Sequence, residues 1–290
     1  MYKAIAANKR NTVFMIIIFL LIIGGLGALA AYIYNDWRIV VFVVAVSLGY
    51  ALIQYFVAGR LAVAMSGGYE IEKKDSPELW RVVENLAITA GVPMPRIFLI
   101  DDPAPNAFAT GRNPKHAIVA ATTGLIETMD KRELTAVMAH EMSHVRNYDI
   151  LVSMIVFGLV SAIGMICDML FRIAFFGRNN SRDSAPLMVL GLVALIVAPL
   201  IAMLVRLAVS RQREYLADSS AALLTRDSEG MAMALEKLKA NGKPLRRQNT
   251  SIEHLYIASP LKPGFMSKLF STHPPLDDRI NRLRENATKM

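Results

Sequence analysis

The chain has 290 residues, of which 54% are hydrophobic and only 19% are charged, and its mean hydropathy is +0.37. This composition excludes an intrinsically disordered chain and leaves too few polar side chains to cover a water-soluble globule. The single cysteine, Cys167, excludes a disulfide framework. The net charge of +8 raises the question of nucleic-acid binding, but no basic stretch forms a recognisable nucleic-acid module. We therefore attribute the basic excess to membrane topology and expect no nucleic-acid partner.

Two long apolar windows near the start of the chain predict a transmembrane hairpin over residues 1–60. No charged residue occurs from Val13 to Tyr34, and the second window runs from Ile39 to Gly59. Each window holds about 20 residues, which at 1.5 Å per residue cross the roughly 30 Å of hydrocarbon in a bilayer. A cleaved signal peptide is the alternative for the first window, but the apolar core of a signal peptide is shorter.

Basic residues at the N-terminus predict the orientation of this hairpin. Lys3, Lys9 and Arg10 precede the first window, and an excess of Lys and Arg marks the cytoplasmic side of a membrane helix. Two crossings then return the chain to the cytoplasm at Arg60. We therefore expect a multi-pass protein of the lipid bilayer whose polar segments face the cytoplasm.

Residues 61–149 have the pattern of the first part of an α+β domain. A helix is predicted between Pro77, which is tolerated in a first helical turn, and Gly91, which favours a helix end. Short apolar runs predict three strands, of which the middle one has the weakest signal. They lie at residues 96–100, 106–110 and 116–120.

The next predicted helix carries the clearest chemical signal. Asp130 and Glu133 form a capping box at its start. His140 and His144 lie one turn apart on one face, so both imidazoles can bind a single metal ion. Glu141 is adjacent to that face, where a carboxylate can take a proton from a metal-bound water. The spacing predicts a zinc site, and a pair of structural histidines is the alternative.

Two further apolar windows predict a second membrane hairpin over residues 150–206. They run from Ile150 to Ile166 and from Leu187 to Val205. The earlier window is short for a span, and Pro199 in the later one can kink a membrane helix without forbidding it. Both windows could instead dip into the membrane and return, or pack as buried core helices, and the sequence leaves these alternatives open.

A third metal ligand is predicted in the segment that follows, residues 207–290. Glu214 and Asp218 share a helix face. Glu214 would complete a zinc site of two histidines and one glutamate, and Asp218 could orient a ligand histidine through its other ring nitrogen. Two crossings or none between the motifs both leave Glu214 on the same side of the membrane as His140 and His144.

The remaining polar sequence completes an α+β body that the second hairpin divides. Residues 229–239 predict a helix, and Leu276, Ile280 and Leu283 predict a closing amphipathic helix. Residues 243–270 have no periodic pattern and predict an irregular loop, which could act as a lid over the site.

Three motifs stand out in this body: the run His140–His144, the segment Ser210–Asp218, and Ser271–Pro275 followed by Arg279. Together they resemble the HtpX family of bacterial membrane-integrated zinc endopeptidases, which are related to prenyl-protein proteases. The resemblance covers nearly the whole chain. It implies a zincin-like metalloprotease domain with up to four transmembrane helices arranged as two hairpins. It also implies one Zn²⁺ per chain with Glu214 as the third ligand, and an inner-membrane location.

The resemblance implies a role in the quality control of membrane proteins, with misfolded membrane proteins or unfolded polypeptides as substrates. Glu141 would act as the general base on zinc-activated water. His273 and Arg279 are the candidates for stabilising the oxyanion, and their alternatives are a loop histidine and a helix-surface arginine.

Substrate contact is predicted at Asn106, Ala107 and Phe108, which resemble the edge strand that pairs with the substrate backbone in the family. An ordinary interior strand is the alternative. His116 and His254 have no ligand spacing and are interpreted as structural.

Two other functions compete with that of a membrane endopeptidase. One is a proteolytically silent zincin that serves as a scaffold, although Glu141, the residue whose loss would silence catalysis, is present. The other is a processing protease of the prenyl-protein type, a branch that tends to have more membrane spans than the four available here.

Overall fold

The computed structural model of the chain describes residues 2–159, 211–247, 252–258 and 274–287. These residues form helices and one four-stranded sheet, so the predicted α+β class is confirmed. Most of the second predicted membrane hairpin lies outside the described residues, and so does His273.

Two long helices form the N-terminal part of the fold. Helix α1 (Tyr2–Tyr34) and helix α2 (Arg38–Ser66) are joined by a short turn and pack against each other. Each contains a stretch that is long and apolar enough to cross a membrane, and these stretches, Ala6–Gly25 and Arg38–Ser66, overlap the first two predicted windows. Large apolar side chains such as Phe42 and Leu52 are exposed on α2, where a bilayer would cover them.

A glycine joins this hairpin to the sheet. Gly67 ends α2 with a left-handed φ of 77°, and its N–H bonds back to the last turn of the helix. Because residues with a Cβ rarely adopt this conformation, Gly67 allows the chain to turn directly from α2 into the first strand.

The sheet has the strand order β1-β2-β4-β3. Its strands are β1 (Gly68–Glu70), β2 (Arg96–Ile100), β3 (Ala107–Gly111) and β4 (Ala117–Thr122). The central pair, β2 and β4, is parallel, and both outer pairs are antiparallel. The three predicted strands are present, whereas β1 was not predicted because three residues are too few to show a period. Strand β3 lies at one edge of the sheet.

Seven helices follow α2, besides two short 3₁₀ turns, among the residues that the structure describes. Helix α3 begins at Pro77 and ends before Gly91, and the helix predicted over residues 229–239 and the closing helix are both present. A further apolar helix, α6, begins at Asp149 and is described as far as Leu159. The others are α3 (Pro77–Ala90), α4 (Thr123–Thr128), α5 (Lys131–Arg146), α7 (Arg211–Thr225), α8 (Ser228–Ala240) and α9 (Leu276–Ala287).

Helix α5 lies at the centre of this body and positions the site. The Asp130 carboxylate accepts a 2.9 Å hydrogen bond from the Glu133 N–H, and the Glu133 carboxylate accepts a 2.8 Å bond from the Asp130 N–H, so the predicted capping box is confirmed. The helix packs against α3, α7, α8 and β3. Its apolar side chains Leu134, Val137 and Met138 are fully buried. The histidine pair therefore sits on a helix that is fixed on several sides.

Candidate metal centre

Three side chains converge where α5 crosses α7. The Nε2 atoms of His140 and His144 lie 3.1 Å apart, with the two rings nearly perpendicular. The Glu214 carboxylate oxygens lie 3.7 Å from His140 Nε2 and 3.6 Å from His144 Nε2. The structure thus brings together the three residues predicted as metal ligands.

These spacings fit a single small metal ion. Ligand atoms held about 2.05 Å from a tetrahedral zinc ion are about 3.3 Å from one another, and the three measured distances lie close to that value. Glu214 is buried, and a buried carboxylate requires a positive partner. Burial lowers the pKa of His140, which keeps its ring neutral and able to bind a metal.

Asp218 orients His140 from the side opposite the metal-binding nitrogen. Its Oδ1 lies 2.9 Å from His140 Nδ1, and Arg279 donates two bonds to the same carboxylate at 2.7 and 2.8 Å. Burial alone would raise the pKa of Asp218, but the paired Arg279 guanidinium lowers it to about 2. The aspartate is therefore ionised and fixes the ring so that Nε2 faces the metal position.

Arg279 is fully buried rather than exposed on a helix surface. Besides Asp218, it contacts the Ile257 carbonyl oxygen at 3.4 Å and lies 3.8 Å from a Glu214 oxygen. Helix α9 thereby inserts one cation among the carboxylates of the site.

Asp149 does for His144 what Asp218 does for His140. The backbone reverses after α5 at Tyr148, which has a φ of 62°, and this reversal brings Asp149 Oδ2 to 2.9 Å from His144 Nδ1. Burial alone would lower the pKa of His144, but Asp149 and Glu214 raise it to about 9. The sequence interpretation missed Asp149, because an acid just beyond the helix end has no ligand spacing.

Asn8 of α1 reaches the same carboxylate. Its side-chain amide donates to Asp149 Oδ1 at 2.6 Å and to the Asn147 carbonyl oxygen at 2.9 Å, and all three residues are buried. The first apolar helix is therefore bonded to the residue that orients a metal ligand.

Glu141 faces a small cavity beside the ligands. The cavity, of about 30 Å³, is also lined by His144, Glu214 and His254, and it has room for a water molecule. Burial raises the pKa of Glu141 to about 7, and the backbone N–H of Ala109 donates a hydrogen bond to it. A water in this cavity would contact both the metal position and a carboxylate able to accept its proton.

Comparison with known proteins identifies this arrangement. The model of peptidase family M48 matches residues 73–287. The chain belongs to peptidase family M48. It is 54% identical to the protease HtpX homolog of Tropheryma whipplei (strain Twist) over 98% of each chain. It is 42% identical to the HtpX homolog of Streptococcus gordonii over 98% of this chain and 99% of the relative.

A solved structure shares the fold of this M48 protein. The crystal structure of S. mikatae Ste24p aligns with a TM-score of 0.52 at 20% identity, over 98% of this chain and 67% of that chain. The predicted resemblance to the HtpX family is thus confirmed, and the protein is a membrane metalloprotease.

In this M48 protease the predicted substrate strand is partly covered by the chain itself. The Ile257 N–H donates to the Ala107 carbonyl oxygen at 3.0 Å, and the Asn106 amide donates to the Ala258 carbonyl oxygen at 2.9 Å. Phe108 forms an antiparallel bridge with Tyr256, and their rings are 5.0 Å apart. We call residues 252–258 the edge segment. It belongs to the stretch predicted as an irregular loop.

The two remaining histidines of the described chain have different surroundings. His116 lies in the 3₁₀ turn before β4, bonded to Asn113 at the surface, as a structural residue would be. His254 belongs to the edge segment, lines the cavity beside Glu141 and bonds the Ser153 carbonyl oxygen at 3.1 Å. It therefore borders the site, which its position in the sequence did not indicate.

Proposed function

We propose that this metalloprotease is a zinc-dependent endopeptidase that cleaves misfolded or damaged membrane proteins at the cytoplasmic face of a bacterial inner membrane. The observation that carries the proposal is the ligand geometry. His140, His144 and Glu214 present three nitrogen and oxygen donors at the spacing of one tetrahedral ion, and Glu141 lines a cavity together with His144 and Glu214.

One zinc ion per chain fits this donor set, because two imidazoles and a carboxylate with room for a water are typical of catalytic zinc sites. When bound, zinc supplies Lewis acidity, which acidifies water and polarises a carbonyl group. Asp218 and Asp149 hold the two imidazoles in the tautomer that presents Nε2.

Glu141 is the proposed general base. Its carboxylate accepts a proton from the attacking water and then delivers this proton to the leaving amine nitrogen, so the carboxylate is regenerated in each turnover. A pKa of about 7 suits both steps, since a group that both accepts and donates works best near the ambient pH. The Ala109 N–H holds one oxygen of this carboxylate in place.

The oxyanion requires a further donor, for which the sequence gives His273 and Arg279. The contacts of Arg279 support a positioning role instead, because its Nε and Nη2 both bind Asp218. We therefore propose Arg279 as the residue that holds Asp218 against His140, and His273 as the oxyanion donor.

We propose that the substrate backbone pairs with Asn106, Ala107 and Phe108 at the edge of the sheet. Main-chain hydrogen bonds to an edge strand give affinity with little demand on sequence, which suits a protease of unfolded chains. The edge segment holds this position in the structure. Substrate pairing therefore requires displacement of the edge segment, which then acts as a lid.

The contact between Asn8 and Asp149 supports the proposed topology. Asn8 lies at the N-terminal end of α1, next to Lys9 and Arg10, and its bond to Asp149 brings the metal centre to this end of the hairpin. Basic residues flank membrane helices on the cytoplasmic side. The same topology calls for a second hairpin over residues 150–206.

The test compares purified wild-type protein with Glu141→Gln on an unfolded membrane-protein substrate in detergent. Glu127→Gln, a change of the same kind at an exposed position of α4, is the matched control. We expect cleavage by wild type and control, loss of at least about 100-fold in Glu141→Gln, and equal zinc content in all three. Equal cleavage by wild type and Glu141→Gln would contradict the proposal and favour the scaffold alternative.

A further inference from the structure

A large groove lies between the membrane hairpin and the globular body, away from the metal centre. Its volume is about 980 Å³. One wall comes from α1 and α2, through Thr12, Val13 and Tyr55, and the other from the loop between β3 and β4 and from the end of α5.

The wall formed by the globular body is basic. Arg112, Lys115 and Arg146 line the groove, and no Asp or Glu of the described residues does. Among the residues that the structure describes, none of these three cations forms an ion pair with a carboxylate. The Nε atom of Arg146 is buried and has no hydrogen-bond partner within residues 2–159, 211–247, 252–258 and 274–287, which is costly for a charged group. Within these ranges the groove thus holds three positive charges that no carboxylate neutralises.

The wall formed by the hairpin is apolar and continues toward the membrane. Val13 is 57% exposed, and Phe56, next to Tyr55 on α2, is also 57% exposed. The Arg112 guanidinium lies 4.8 Å from the centre of the Phe56 ring, which connects the basic wall to the lipid-facing surface.

The depth of the groove matches the boundary of the bilayer. Val13 is the first residue of the first apolar window, and Tyr55 lies one turn before Gly59, the last residue of the second. Residues at the ends of membrane helices lie at the level of lipid headgroups, where tyrosine is also enriched. The three cations therefore face the layer in which phospholipid phosphates lie.

We propose that this groove binds the headgroup of an anionic phospholipid. Its phosphate lies among Arg112, Lys115 and Arg146, and its acyl chains lie along the exposed faces of α1 and α2. Basic pockets at the cytoplasmic ends of membrane helices recognise anionic headgroups in this manner. The apolar wall favours a lipid over a free phosphate, because acyl chains can cover the exposed surfaces of Val13 and Phe56 and a soluble anion cannot.

Bound lipid would also stabilise the helix that carries the metal ligands. Arg146 is the last residue of α5, and it comes two positions after His144. Tyr148, whose backbone reverses the chain toward Asp149, lines the same groove. An anion on Arg146 therefore holds the end of α5, next to His144 and to the turn that leads to Asp149. This inference does not depend on the proposed protease activity.

The test measures lipid binding and thermal stability of the full-length protein in a zwitterionic detergent. The probes are short-chain phosphatidylglycerol, short-chain phosphatidylcholine and glycerol 3-phosphate. We expect phosphatidylglycerol to bind about tenfold or more tightly than phosphatidylcholine and to raise the melting temperature. Equal binding of the two lipids, or an equal response to glycerol 3-phosphate, would overturn the proposal.

Paired variants locate the site. Arg112→Gln/Lys115→Gln removes two groove cations and leaves Arg146 in place, so the helix end is kept. Arg81→Gln/Lys243→Gln removes two exposed cations elsewhere and is matched in charge. We expect the groove variant to bind phosphatidylglycerol about tenfold or more weakly, and the control to bind as wild type. Equal loss in both variants would show that net charge attracts the lipid. No loss in the groove variant would show that the groove cations do not bind it. Either result would overturn the proposal.

Discussion

The side chain of Asn8, near the start of α1, donates a 2.6 Å hydrogen bond to Asp149, whose other carboxylate oxygen lies 2.9 Å from His144 Nδ1. The Asp149 carboxylate thus joins the apolar helix α1 to the predicted metal ligand His144. Asn8 and Asp149 are 141 residues apart along the chain. The first helix of the hairpin is therefore bonded to the candidate metal centre.

Replacing Asn8 tests this connection. In Asn8→Ala the Asp149 carboxylate loses a donor and can turn away from His144, and such loss of outer support commonly lowers metal affinity by about 10-fold or more. Zinc affinity measured by competition with a chelator should fall accordingly. Asn11→Ala, on the same helix one turn later, is the control and should bind zinc as wild type does. Wild-type affinity in Asn8→Ala would disprove the connection.

The ion pair between Arg279 and Asp218 predicts that removing one charge destabilises the protein more than removing both. Arg279→Gln leaves a buried carboxylate without its partner, which destabilises proteins by about 3–5 kcal/mol. Removing both charges in Asp218→Asn/Arg279→Gln should be less damaging than Arg279→Gln alone. Melting temperatures in detergent report the order. If the melting temperature of the double variant is lower than that of Arg279→Gln, the ion pair with Asp218 is not the main contribution of Arg279 to stability.

The pKa of His144 predicts how the metal-free protein responds to pH. Its folded-state pKa of about 9 lies above the ordinary value near 6.5, so the folded state binds the extra proton. This contribution to stability is fully present below about pH 6.5 and is lost as the pH rises through about 9.

Melting temperatures of chelator-treated protein between pH 7 and pH 9 should therefore decline. In Asp149→Asn, which removes the charge that raises this pKa, the decline should be smaller. Zinc should also release a proton when it binds below pH 9, which calorimetry in buffers of different ionisation enthalpy detects. A melting temperature that rises over this range would contradict the assigned pKa.

The contact between the edge segment and β3 predicts that weakening it raises activity and lowers stability. Tyr256→Ala removes the ring that contacts Phe108 and leaves a cavity, so its melting temperature should fall. Displacement of the segment then becomes easier, and kcat/KM for unfolded substrates should rise several-fold, since about 1.4 kcal/mol corresponds to tenfold. Tyr256→Phe keeps the ring and should behave as wild type. Unchanged or lower kcat/KM in Tyr256→Ala with full zinc content would exclude a lid role.

Local patterns predicted the central parts of the site. The capping box and the apolar stripe of α5 placed the helix, and its period placed His140 and His144 on one face. Glu214 was found because a second motif could be combined with membrane topology. The helix and its histidine face follow from residues that are close together along the chain. The assignment of Glu214 also needs the number of membrane crossings between the two motifs.

Long-range contacts were not predictable in the same way. Asn8 meets Asp149 from 141 residues away along the chain, and no period relates the two residues. His254 and the edge segment come from a stretch without pattern, so their placement along β3 is fixed by tertiary packing alone. Arg279 sits on an amphipathic helix where a cation normally faces solvent, and its contacts with the buried Asp218 and Glu214 account for its burial.

The hydrogen bond between the Ile257 N–H and the Ala107 carbonyl oxygen has a further consequence in a membrane crowded with other proteins. An unpaired edge of a sheet is a template on which an extended polypeptide can add a strand, including a second copy of this chain or another protein that is still being synthesised. Because the Ile257 N–H already bonds the Ala107 carbonyl oxygen, this part of the edge is paired within the molecule. A neighbouring extended chain must displace the edge segment before it can pair there.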